Sequence, residues 1–190
     1  MPAHPSDIVE FWRGVGPDRW FRKDAAFDDA IRLKFEPTHH AAARGAYDAW
    51  IDTPDGALAL LILLDQFPRN LYRGSAHAFA TDGKARRAAR EAVARGHDRV
   101  ASAELRQFFY LPFEHSEDLT DQDQGVALCE ALDAEIGAEI GASGGDFGKW
   151  ARIHRDVIAR FGRFPHRNPA LGRETTAEEQ AYLDDGGFSG

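Results

Sequence analysis

The chain of 190 residues has one cysteine, Cys129, so no internal disulfide can form; a reducing compartment is expected. Cys129 lies in the apolar run Val126-Ala127-Leu128-Cys129 with no basic residue nearby in sequence, and reads as a helix-packing residue, not a reactive thiol. No apolar run approaches the ~18 residues a membrane-spanning helix needs. Residues Met1 to Asp7 show neither the basic nor the apolar stretch of an export signal, so a cytoplasmic protein without membrane attachment is expected. Alternating strand patterns, shifts in composition and low-complexity stretches are also missing, which leaves an all-α chain with no significant sheet, forming one domain over residues 1–190.

Bases are absent from Ser116 to Asp146, where nine acids fall, whereas Lys149 to Arg173 holds seven bases against the single acid Asp156. Either two neighbouring helices pair these opposite charges, or the basic segment forms an anion site. The formal net charge of -8 excludes a general binder of nucleic acid or anionic membrane.

What the chain does have is core material. Hydrophobic residues make up 43%, with four Trp and thirteen Phe, and a domain of this length buries roughly 70% of its unfolded surface. Helical periodicity and breakers divide it into about eight helices. Ser6 is placed to cap the first, carrying Ile8, Val9, Phe11 and Trp12, and Asp24 the second, with Phe27, Ile31 and Phe35 on one face. Thr53-Pro54-Asp55 is a capped start for the run Ala57 to Leu64, apolar on all sides and therefore enclosed, which is expected to stop at Pro68. Helices follow over about Asp82–Arg95, closed by Gly96, and from Ser102 to Pro112. An acidic helix over about Leu119–Ile140 leads through the glycine-rich loop Gly141 to Gly145 into a basic helix. The basic helix has Trp150, Ile153, Val157, Ile158 and Phe161 as its core stripe and ends at Gly162. Thr176 and Glu179 form a capping-box pair for a last helix.

Three segments stand out: Leu64-Asp65-Gln66-Phe67-Pro68-Arg69-Asn70, Leu111-Pro112-Phe113-Glu114-His115-Ser116-Glu117-Asp118, and Phe161-Gly162-Arg163-Phe164-Pro165-His166-Arg167-Asn168. The third echoes the first with one histidine inserted. In this order, with Phe11-Trp12, Trp20-Phe21 and Leu171-Gly172-Arg173, they resemble the signature segments of the bacterial "domain of unknown function 924" family over nearly the whole chain. The resemblance implies an all-α, tetratricopeptide-like helical array and carries no activity with it.

The same segments hold the residues able to do chemistry. Asp65 and Gln66 fall at the C-terminal end of the enclosed helix, where the dipole disfavours a carboxylate, so Asp65 needs a cationic partner. One reading makes Asp65, Arg69, Asn70, Arg163, Arg167 and Asn168 a network locking two helix ends. His115, Glu117 and Asp118 lie in a connector, free to converge as acid, base or ligand groups, or simply to start a helix capped by Ser116. No second cluster at ligand spacing completes a metal site, and no cofactor is expected. His154 shares the core-facing side of its helix and reads as a packed residue or a site residue; His166 lies in a loop flanked by Arg163 and Arg167.

The functional expectation is that both Phe-Pro loops and the connector meet at one pocket for a small anionic ligand. Arg69, Arg163 and Arg167 would hold its carboxylate or phosphate. Asp65, Gln66, Asn70, Asp118, His154 and Asn168 would line the site, and His115, His166 and Glu117 would move protons, as in a hydrolase or lyase. The alternative is a non-catalytic helical module for a protein or peptide partner, with Trp20, Trp50 and Tyr72 as exposed anchors.

Overall fold

A computed structural model describes residues 4–140 and 146–190. Among them lie eleven α-helical segments and no strand, so the all-α class holds; no helix is long and apolar enough to cross a membrane. The glycine-rich loop expected at Gly141 to Gly145 lies outside the described residues. The chain forms two compact units, one from the described residues up to Arg73 with His77–Pro112, the other from Gly74–Ala76 with residues from Phe113 onward.

The first unit opens with α1 (Pro5–Val15), whose cap is His4, not Ser6: Nδ1 of His4 accepts from the Ser6 amide, and Pro5 takes the first helical position. A short α2 (Pro17–Trp20) precedes α3 (Ala25–Ala43). Asp24 caps α3 as expected, accepting from the Phe27 amide at 3.1 Å, and Phe27, Ile31 and Phe35 are buried along one face. Rings from these helices surround Trp12: its centroid lies 6.2 Å from Trp20, 5.9 Å from Phe27, 5.7 Å from Phe67 and 5.5 Å from Phe108. Trp20, expected as an exposed anchor, is buried, and its Nε1–H donates to the Trp12 carbonyl at 2.7 Å. Trp50 and Tyr72 are half-buried, Trp50 stacked on Tyr47 and Tyr72 donating its hydroxyl to Glu36.

The enclosed helix begins as α4 (Pro54–Leu61), with Thr53 Oγ1 accepting from the Gly56 amide. Gly56 is fixed by close approach, since a Cβ there would stand 2.2 Å from the Trp50 carbonyl oxygen. Residues 56 to 68 are all buried, but the helix does not stop at Pro68. It widens into a π turn (Ile62–Gln66) and resumes as α5 (Phe67–Leu71). Pro68 has no N–H to offer the carbonyls of Leu64 and Leu63, four and five residues back. Distant side chains take its place: Thr81 Oγ1 donates to Leu64 O at 2.6 Å and His39 Nδ1 to Leu63 O at 2.8 Å. A carbonyl only accepts, so His39 holds its proton on Nδ1, and burial keeps its pKa below the usual histidine value.

Behind α4, the helix α6 (Asp82–Ala94) presents Ala85, Ala88, Ala89 and Ala92 as a small-residue face, and Gly96 follows it in the left-handed conformation, φ +74°. Then α7 (Ala103–Glu114) runs through Pro112 instead of ending there, burying Leu105, Phe108 and Phe109. The second unit begins within this helix.

In the second unit α8 (Leu119–Ile140) packs on α9 (Phe147–Phe161). Opposite charges pair across these two helices: Arg152 bonds Glu130, and Arg155 Nε lies 2.7 Å from Asp123. Asp133 accepts from the amides of Phe147 and Gly148 at the start of α9. Gly148 sits so close to α8 that a Cβ would stand 2.9 Å from Glu130 Cγ. That approach buries Gly148, Ala151, Val157 and Ile158 and leaves Trp150, expected in the core stripe, half exposed. Gly162 closes α9 at φ +68°, a turn at Pro165–Arg167 follows, and α10 (Asn168–Leu171) and α11 (Ala177–Asp184) complete the chain.

Candidate functional site

The three motif segments divide between the units, and each cluster has its own chemistry. In the first unit Arg69 donates to both Asp82 carboxylate oxygens at 3.0 and 3.1 Å and to the Asp65 carbonyl at 2.7 Å, with the Asp65 carboxylate 3.3 Å away. Gln66 Nε2 donates to Asp65 Oδ2 at 2.6 Å, and Asn70 Nδ2 to Asp28, which also takes Arg73 in a two-pronged pair. Burial works against the Arg69 charge, but Asp65 and Asp82 outweigh it and push its pKa up. Charges, donors and acceptors close on one another, which is how a lock on a helix end looks. Asp28 and Asp82 escaped the sequence reading because they lie on other helices, outside any motif.

In the second unit the connector and the second Phe-Pro loop do converge. Glu117 accepts from the Phe164 amide at 2.9 Å and from Arg173 at 2.7 and 3.0 Å, and Arg173 also donates to the Phe164 carbonyl. Arg167, buried, donates to the His115 carbonyl at 3.0 Å and lays its guanidinium 4.3 Å from the centre of the Phe164 ring. Burial alone would raise the Glu117 pKa; the Arg173 hydrogen bonds and the Phe164 amide win, and it is lowered. Asp118, not Ser116, caps α8, its Oδ1 accepting from the amides of Thr120 and Asp121, while the Ser116 hydroxyl donates to Asp121. Two residues of the connector are therefore occupied with starting the helix.

Two histidines pack against Phe164, and a third packs against one of them. His154 lies 6.1 Å from His115 and 5.9 Å from Phe164, ring centre to ring centre, and His166 lies 5.5 Å from Phe164. His154 donates from Nδ1 to the Trp150 carbonyl at 2.8 Å, with the buried Glu114 carboxylate 3.5 Å from the same nitrogen. Nε2 is then the basic nitrogen of that ring. Burial, and next the charge of Arg167, hold His166 down to about 4. Glu114 also accepts from the Cys129 thiol at 3.4 Å, and burial followed by that carboxylate pushes the thiol well up, leaving it a packing residue. Glu114 went unmarked in the sequence although it ends an otherwise apolar stretch, Phe108 to Phe113, which was the signal available. Among the described residues no group of three or more His, Cys, Asp or Glu is arranged to hold a metal ion.

Arg163 and Asn168 turn away from this cluster. Arg163 grips both Glu179 oxygens at 2.6 and 2.9 Å, and Asn168 Nδ2 and the Thr176 amide donate to the same carboxylate. Glu179 thus joins a capping box to an ion pair, and Arg163 chiefly holds it at about 2. A carboxyl held below its unfolded value stabilises the fold above that value, and the contribution vanishes as pH falls through the folded one. From a usual value of 4.5, Glu179 should release stability between about pH 4.5 and pH 2, and Glu117, also lowered, should add to the loss below pH 4.5. Thermal melts down that range should show a falling midpoint, and Glu179→Gln should flatten the fall; an unchanged profile would remove this ion pair from the stability of the fold.

A family model for a bacterial protein of unknown function (DUF924) matches residues 8–187. The chain is also similar to the solved structure of a protein of unknown function, ATU0120 from Agrobacterium tumefaciens. The two are 50% identical, with a TM-score of 0.87, over 95% of this chain and 97% of that one. No curated protein matches.

Proposed function

The chain belongs to the bacterial DUF924 family, and from that starting point, with no reaction to carry over, we propose that its second unit binds a small anionic ligand, a carboxylate or phosphate, beside Phe164. The observation that carries this reading is the convergence of Arg167, His154 and His166 on that one ring, with His115 packed against His154. An arginine beside three imidazoles forms a site whose positive charge grows as an anion enters, because the anion favours protonation of its neighbours. Arg69 and Arg163 drop out as ligand groups, since Asp82 and Glu179 occupy their guanidinium forks. If the site turns over its ligand, by hydrolysis or elimination, His166 or His115 would move the proton.

His166 is held near 4 by burial and by Arg167, with His115 adding to the effect and Glu117 opposing it. It is therefore neutral at pH 7, and an arriving anion raises its pKa. Binding should take up a proton, so affinity for acetate, which stays ionised throughout this range, should rise from pH 8 to pH 6. Calorimetry in buffers of different ionisation heat reads the proton directly. At a ligand concentration of a hundred dissociation constants the fold should gain about 2.7 kcal/mol, visible as a raised melting midpoint, and Arg167→Ala should lose that gain.

Leu33, 86% exposed on α3, favours a second reading, a tetratricopeptide-like interaction module for a protein or peptide. The same titration separates the two: no shift with any carboxylate or phosphate rules out the anion site and leaves the module.

A further inference from the structure

Phe188 follows α11 in a strap whose path depends on two glycines. Gly186 turns the chain at φ +79°, and Gly187 presses against Tyr182 so closely that a Cβ would stand 2.5 Å from the ring. The Gly187 amide donates to the Tyr182 carbonyl at 2.9 Å and the Phe188 amide to the Tyr182 hydroxyl at 2.8 Å. So held, the Phe188 ring reaches the histidine cluster: its centre lies 4.4 Å from His154, 5.5 Å from His166 and 6.2 Å from Phe164. It packs half-buried on Val157, Ile158 and Phe164. None of the three signature segments includes this phenylalanine.

We propose that Phe188 fills an aromatic subsite of the anion site, and that the ligand is a small aromatic carboxylic acid whose ring takes that place. This rests on the anion-binding reading and narrows it. Two imidazoles and a phenyl ring make a slot that suits a flat ring in offset or edge contact better than an alkyl group. His166 and Arg167, adjacent in the loop that carries Phe164, supply the polar side, so a carboxylate attached to such a ring meets cationic and imidazole donors while the ring stays in the slot. Displacement needs only the ring to swing out, because the Phe188 ring is half-buried while its backbone stays held by the Tyr182 hydroxyl and by His166.

The test compares phenylacetate with cyclohexylacetate, acetate and inorganic phosphate, titrated by calorimetry against the intact chain and Phe188→Ala. Phenylacetate should bind the intact chain more tightly than cyclohexylacetate, and Phe188→Ala should tighten phenylacetate by about tenfold while changing phosphate little, since only the ring competitor is removed. In the intact chain, the NMR resonances of the Phe188 ring should shift as phenylacetate is added and stay in place with phosphate, a measurement that needs no variant to fold. If phosphate binds and loses its effect in Arg167→Ala, yet phenylacetate is no better than acetate and the Phe188 ring does not respond, the aromatic subsite is wrong and the anion site stands. If no anion binds either protein, both proposals fall.

Discussion

Arg69→Met should lower the free energy of unfolding by about 3–5 kcal/mol, the range found when one partner of a buried ion pair is removed. The side chain sits between Asp65, 1% exposed, and Asp82, and replacing it leaves two neighbouring carboxylates with one cation fewer. It also caps the Asp65 carbonyl within the π turn, so a backbone acceptor loses its donor together with the charge. Arg69→Lys keeps the charge but cannot donate to both Asp82 oxygens and the carbonyl at once, and should recover only part of the loss. Urea unfolding of the three proteins checks the order; a methionine variant as stable as the parent would show that this network contributes nothing net.

Trp12→Ala should cost a similar amount, about 3–5 kcal/mol, by another route. Trp12 is fully buried and touches rings contributed by α2, α3, α5 and α7, so its removal opens a cavity bounded by four helices that cannot all close in. Among the described residues its Nε1 has no hydrogen-bond partner, so Trp12→Phe loses no hydrogen bond and should cost much less than alanine. Thermal unfolding followed by near-ultraviolet dichroism separates these outcomes, and equal losses for both variants would point away from cavity formation.

The sequence showed some elements clearly because their signals are local. The bounds of α8, the Asp24 and Thr53 caps, the Thr176–Glu179 capping box and the closing Gly162 each depend on residues within one turn of the feature they set. Pro68 misled because its missing N–H is compensated by His39 and Thr81, which lie 29 and 13 positions away and carry no mark of that duty. The site divides along the same line. That Asp65 would need a cationic partner followed from the helix end expected there, although the helix in fact runs on, whereas the Asp82 that shares its arginine did not follow from any local signal. The meeting of the connector with the second Phe-Pro loop was expected from the motifs, and Glu114 and Arg173 stand inside the family-like segments without being marked as site residues, whereas Phe188 lies outside all of them. Trp20 looked like a surface anchor because sequence cannot tell an aromatic that meets solvent from one that meets Trp12.

The π turn has one more consequence. It fits an extra residue into the helix without moving either end, so the stretch from Thr53 to Leu71 is one position longer than a regular α-helix would need to be there. Deleting a single residue between Ile62 and Gln66 would restore ordinary winding and leave Arg69 and Asn70 facing Asp82 and Asp28. The same deletion within α4 has no slack to draw on, would rotate everything beyond it by roughly 100° about the axis, and would swing both side chains off their partners. The bulge is where this stretch tolerates a change of length.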